Sequence, residues 1–226
     1  MHFSGRIVGI KNNQALIEVD DAQALNGVHL GEFDEQSLVD VNLIDKRSLS
    51  PQQRRKAYAM IRDIAFYVGD SPERLKDDLK MMFCSALGET WFSFSNADMT
   101  TIRLFISFMI ELCLEFKIPL RNSGLKRTDD LEVYLLQSMR HRSCVICGKH
   151  ADVHHIDAIG MGNDRTTADH RGRQMVALCR EHHQEAHNLG WPTFSSLYHV
   201  VGVIPSDELI KSLGLMKQKR MNEIDE

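Results

Sequence analysis

Cys144-Val-Ile-Cys147, Val153-His154-His155-Ile156-Asp157 and Cys179-Arg-Glu-His182-His183-Gln-Glu-Ala-His187 fall within residues 140–191, and the reading of that stretch decides the fold. Eight of the eleven histidines and three of the five cysteines lie between residues 141 and 187. A packed core has little use for so many imidazoles, whereas thiolate and imidazole are the donors that zinc takes. The two-residue spacing of Cys144 and Cys147 suits a turn that brings both sulfurs within about 2.3 Å of one tetrahedral ion. Cys179 and His182 repeat that spacing, so a structural zinc held by Cys144, Cys147, Cys179 and His182 is expected. Ordinary buried thiols with a surface histidine are the plain alternative.

The run after Cys179 reads as the start of a helix. His183 and His187 are then i and i+4 and share one face, while His182 is turned away by about 100° and can point to the zinc. Two metal sites can therefore share one helix. A zincin protease is disfavoured, because Gln184 stands where that motif needs a glutamate directly after its first histidine. His154 and His155 are neighbours in a strand and face opposite sides, so the strand must end or bend there for both to serve one site.

Outward from this stretch the chain has 226 residues, 43% hydrophobic and 26% charged, with a net charge of −4. The acidic balance excludes a strongly basic coat for nucleic acid, so any such contact needs a local patch. The most apolar run, 102–118, is broken by Arg103, Glu111 and Glu115, and no signal segment opens the chain. A membrane span is not expected, and five cysteines without a signal segment suit a reducing, cytoplasmic compartment. Alternation before Ile44 predicts three or more short strands. Ser50-Pro51 and Ser71-Pro72 are helix starts, a third helix runs from about Asp98 to Phe116, and Thr128 is read as the cap of a fourth. The polar stretch between Pro119 and Thr128 reads as a linker, and the last ten residues as a frayed tail. The expected class is α+β, with N-terminal strands and a helical bundle at 1–118, a linker and helix at 119–139, the zinc-stabilised domain at 140–200, and a C-terminal helix and tail at 201–226.

The stretch resembles the HNH endonuclease family and its ββα-metal fold over about 50 residues: a CxxC pair, a double histidine ending a strand, and HxxxH on the final helix. The resemblance implies phosphodiester hydrolysis of DNA, with His155 as the general base that activates water. It also implies a catalytic divalent ion, Mg²⁺ or a transition metal, held by His154, His183 and His187 beside the structural Zn²⁺. The family's middle position, which orients the base, falls on Gln174, with His170 and Asn163 as substitutes. His182 stands where a cysteine is commoner. Arg165, Arg171, Arg173 and Arg180 are candidates for gripping the DNA backbone, and solvated surface charges are the alternative for each.

Lys46, Arg47, Arg54, Arg55 and Lys56 make a basic cluster at the start of the first helix. Residues 47–58 resemble a segment of the NinB-type phage recombination proteins, which implies a NinB-like DNA-binding or interaction domain, a phage origin in a bacterial host cell, and partners among single-stranded or branched DNA and recombination proteins. Trp91, Phe92 and Phe94 either stack on bases or fill the core, and core is the commoner fate. A homo-oligomer is compatible with the sequence. The competing classes are a metal-dependent endonuclease, a non-catalytic zinc-containing DNA-binding module, and a recombination mediator.

Overall fold

A computed structural model describes residues 5–12, 14–19, 47–156 and 168–225 of the chain. The chain divides into two compact units, Met1–Ile44 and Asp45–Glu226. In the first, strands β1 (Gly5–Lys11) and β2 (Gln14–Val19) pair antiparallel from Gly5↔Val19 to Lys11↔Gln14. Asn12 turns the hairpin with φ +52, a left-handed conformation that asparagine tolerates. The further strands expected before Ile44 lie outside the described residues, as do Lys46, Asp157, Asn163 and Arg165.

The second unit opens with α1 (Pro51–Val68). Its start is a capping box in which the Ser50 hydroxyl accepts from the Gln53 N–H at 3.1 Å and the Gln53 side chain accepts from the Ser50 N–H at 3.2 Å. Gly69 ends it at φ +77, which costs a residue without Cβ nothing. Ser71 caps α2 (Pro72–Leu87), and Asp98 caps α3 (Met99–Glu115). Within the stretch read as a linker there is one helical turn, α4 (Gly124–Arg127). The next helix, α5 (Leu131–Arg140), is capped by Asp130 rather than Thr128. The Asp130 carboxylate accepts from the Val133 N–H at 3.2 Å, while the Thr128 hydroxyl is spent on the backbone of Asp130. Both residues are good caps, and sequence alone does not rank them.

Strands β3 (Asp152–His155) and β4 (Met175–Leu178) then form an antiparallel pair in the register Asp152↔Leu178 to His155↔Met175. They are followed by α6 (Arg180–Leu189), α7 (Trp191–Tyr198), α8 (Asp207–Ser212) and α9 (Gln218–Asp225). The end of the chain is therefore helical rather than frayed, because Met221 is buried beside Ile210 and Met216. The class is α+β. No helix among the described residues is long and apolar enough to cross a membrane.

One hydrophobic cluster runs from α1 through α3 and α5 to β4 and α6. Phe83 of α2 meets Phe92, Phe105 and Phe108 edge to face at 5.4–5.8 Å, a preferred aromatic geometry. All four residues of β4 are buried, so the strand reads as an uninterrupted apolar run without alternation. The bundle also buries an ion pair: Arg127 donates to the Asp63 carboxylate at 3.0 Å with both side chains less than a tenth exposed, and the Arg121 N–H donates to it at 3.2 Å. Removing one partner of such a pair leaves the other charge buried and alone. Asp63→Ala is expected to cost about 3 to 5 kcal/mol, read as a lower urea midpoint at unchanged slope.

Candidate metal centres

The segment around Cys144 folds back on itself. The Cys144 N–H donates to Lys149 O at 2.7 Å, the Gly148 N–H donates to Cys144 O at 2.8 Å, and Gly148 takes φ +72. This tight turn points Cys144 and Cys147 toward the first turn of α6, whose N-cap is Cys179. The donor atoms of Cys144, Cys147, Cys179 and His182 all lie within 4.8 Å of one another. Cys147 Sγ and Cys179 Sγ are 3.6 Å apart, and Cys144 Sγ is 3.5 Å from His182 Nδ1. The edges of a tetrahedron around zinc are about 3.8 Å between sulfurs and about 3.5 Å between sulfur and nitrogen, from bonds of about 2.3 and 2.05 Å. The set therefore fits a metal such as zinc. Burial, with the Cys144 thiol as a further cause, pushes the Cys147 thiol up to about 12. A cation reverses that cost, since a coordinated thiol is a thiolate.

A second set uses the other face of the same helix. His183 and His187 are one turn apart on α6 with ring centroids at 5.0 Å, and His154 reaches them from β3 at 4.6 and 4.9 Å. Their donor nitrogens also lie within 4.8 Å of one another. His154 is 5% exposed, and its Nδ1 is buried without a hydrogen-bond partner among the described residues. An orphaned buried nitrogen is costly unless something binds it, and a metal ion is the partner that three converging imidazoles fit. Burial first, then the imidazoles of His183 and His187, push His154 down to about 4, so it is a neutral donor at neutral pH. Trp191 stacks on it at 5.8 Å and forms part of the wall; the spacing of the histidines gave no sign of this residue.

β3 ends at His155, and Ile156 bends away. Where His154 turns toward α6, His155 is half-buried and its Nε2 lies 2.8 Å from Nδ1 of His170, which is 3% exposed. Gln174 is exposed. Its carbonyl accepts from the Ile156 N–H at 3.0 Å, and its side-chain oxygen lies 3.2 Å from where a Cβ would stand on Gly202. Of the two described candidates for the middle position, His170 is thus the one whose ring meets His155.

The arginines divide. Arg171 is paired with Asp169 at 3.1 Å and Asp225 at 2.8 Å, and Arg173 donates to the Asp169 carbonyl at 2.7 Å. Arg180 is exposed. In the basic cluster Lys56 donates to Thr128 O at 2.7 Å and pairs with Asp129, whereas Arg54, which donates to Phe94 O at 2.7 Å, and Arg55 are exposed. Phe92 and Phe94 are buried, and Trp91 is 60% exposed.

The family model described as "Putative HNHc nuclease" matches residues 17–216 of the chain. No curated protein and no solved structure matches it.

Two centres on one helix should separate on substitution. Cys179→Ala is expected to release zinc and destabilise the surrounding fold, since structural zinc supplies about 10 to 16 kcal/mol of apparent binding free energy in small domains. His187→Ala should keep that zinc and the melting temperature while losing the second ion. Metal analysis of gel-filtered protein checks both, and wild-type protein free of tightly held zinc would refute the first assignment.

Proposed function

Since the chain belongs to the HNHc nuclease family, we propose that it is a metal-dependent DNA endonuclease with a ββα-metal site, in which His155 is the general base. The observation that carries this reading is the divergence of two adjacent histidines at the end of β3: His154 enters a buried cluster of three imidazoles, and His155 meets His170. The succession of β3, β4 and α6, with His183 and His187 on α6, supports the ββα-metal arrangement.

A divalent ion held by His154, His183 and His187 would supply positive charge to the phosphoryl oxygens and to the leaving oxygen, while zinc on Cys144, Cys147, Cys179 and His182 would be structural. His155 takes the proton of the attacking water, a task that a neutral imidazole nitrogen performs as general base. His170 is the positioning residue. Its hydrogen bond fixes the plane of the His155 ring, and its own burial fixes it in turn. The hydrogen bond of His170 to His155 supports giving the orienting role to His170 rather than to the exposed Gln174. Trp191 and the burial of His154 exclude water from the inner side of the cluster.

A binding-only zinc module needs the Cys144 set and has no use for the second one. A role in phage recombination would rest on residues 47–58 alone, where Lys56 is taken up by the Thr128 carbonyl and Asp129.

His155→Ala should slow nicking of supercoiled DNA by about 10² to 10⁴ with Mg²⁺, Mn²⁺ or Ni²⁺, while both metals and DNA affinity are kept. His170→Ala should fall between that variant and wild type, and Gln174→Ala should be close to wild type. Equal rates for His155→Ala and wild type, in protein cleared of contaminating nuclease, would move the base elsewhere.

A further inference from the structure

Away from the histidines, α1, α2 and the loop before α3 enclose a cleft of about 260 Å³ lined by Arg54, Tyr58, Lys76, Lys80, Ser93 and Ser95. Three cations face it. Lys80 is only 5% exposed, yet the acid nearest to it, Asp77, stands at 3.6 Å and pairs no closer than 3.9 Å with Lys76. Both distances exceed a hydrogen bond, so one exposed carboxylate faces two ammonium groups without a close ion pair to either. The guanidinium of Arg54 is held in place by the Phe94 carbonyl.

Aromatic surface adjoins this charge. Lys80 Nζ lies 3.9 Å over the ring of Trp91, which is 60% exposed, and Tyr58, 39% exposed, packs on Phe94 at 4.9 Å. A tryptophan left open to solvent beside a buried ammonium offers its ring to a planar group, while the cations, with one hydroxyl of the hydrogen-bonded pair Ser93 and Ser95, offer donors to an anion. Phosphodiester and base together are the chemistry that uses both. A paired base hides its faces in the stack, so the matching partner is an unpaired strand.

We propose that this cleft binds a single DNA strand, with phosphodiester oxygens against Arg54, Lys76 and Lys80 and a base stacked on Trp91. The proposal rests on the reading of the chain as a DNA nuclease and assigns its strand-binding surface to α1 and α2, apart from the histidine clusters.

The test is a polarisation titration of the full chain with a labelled oligothymidylate and with a duplex of the same length, across a KCl series without added divalent ion. Lys76→Glu and Trp91→Ala should each weaken oligothymidylate binding by about tenfold or more and leave duplex binding within about twofold. Lys76→Glu should also lower the slope of log affinity against log salt by at least about 0.7. Lys76 is partly exposed, so its replacement tests the cleft even if replacing Lys80 prevents folding. Wild-type binding by both variants at every salt concentration would overturn the proposal, and so would an equal loss on duplex. Either result leaves the nuclease reading standing. Absence of nicking by the wild-type protein with any of the divalent ions would remove that reading and leave the strand-binding result as measured.

Discussion

Cys179 is held from two sides, and the rest of the site depends on that. It is the N-cap residue of α6, its carbonyl accepting the His183 N–H at 2.8 Å, and its sulfur lies 3.6 Å from Cys147 and 3.1 Å from His182 Nδ1. Fixing the first residue of a helix fixes its phase. With about 100° per residue, His182 is committed to the thiols, and His183 and His187 to the face toward β3. A shift of one residue in the start of α6 would exchange these faces and dissolve both clusters together.

β3 solves the complementary problem with the alternation of a strand. His154 and His155 share a backbone environment and differ in everything beyond it. One is turned into the buried cluster with His183 and His187 beside Trp191, where burial drives its pKa down; the other meets the buried imidazole of His170. A neutral, desolvated nitrogen suits ligation, and a half-exposed one suits proton transfer. Two surroundings as different as these are thus given to adjacent residues by geometry alone, provided that the strand ends where it does. Val203 supports that end, exchanging backbone hydrogen bonds of 2.8 and 3.0 Å with Met175, the partner of His155.

Much of this was legible in sequence, because metal donors and helix caps are local signals. Ser50-Pro51, Ser71-Pro72 and Asp98 mark helix starts by their own chemistry, and paired spacing groups Cys144, Cys147, Cys179 and His182 without knowledge of the fold. The meeting of His155 and His170 was not legible, since it depends on the 2.8 Å approach of two rings fifteen residues apart. Lys56 likewise reads as a free cation until α1 meets the turn at Asp129. The helical end of the chain was hidden for a similar reason. Its composition is polar, and one methionine, Met221, supplies the buried contact.

The metal segment is also tied into the helices by side chains whose partners lie far away in sequence. Tyr134 of α5 donates its hydroxyl hydrogen to Val145 O, between the two knuckle cysteines, at 2.8 Å, and burial pushes that phenol up to about 12, so it keeps its proton. On α3, Glu111 lies 3.2 Å from Arg140 and 2.8 Å from His141, and Gln137 donates to Ser107 O at 3.1 Å. The turn that carries Cys144 is therefore anchored at its middle by α5, which is itself held by α3. A metal such as zinc would have four donors to organise, but the turn that presents two of them is already restrained. Ligation then has less chain entropy to overcome than in an isolated zinc module, where the ion must order every residue it joins. The bundle contributes to the metal centre by narrowing what the knuckle can do before any ion arrives.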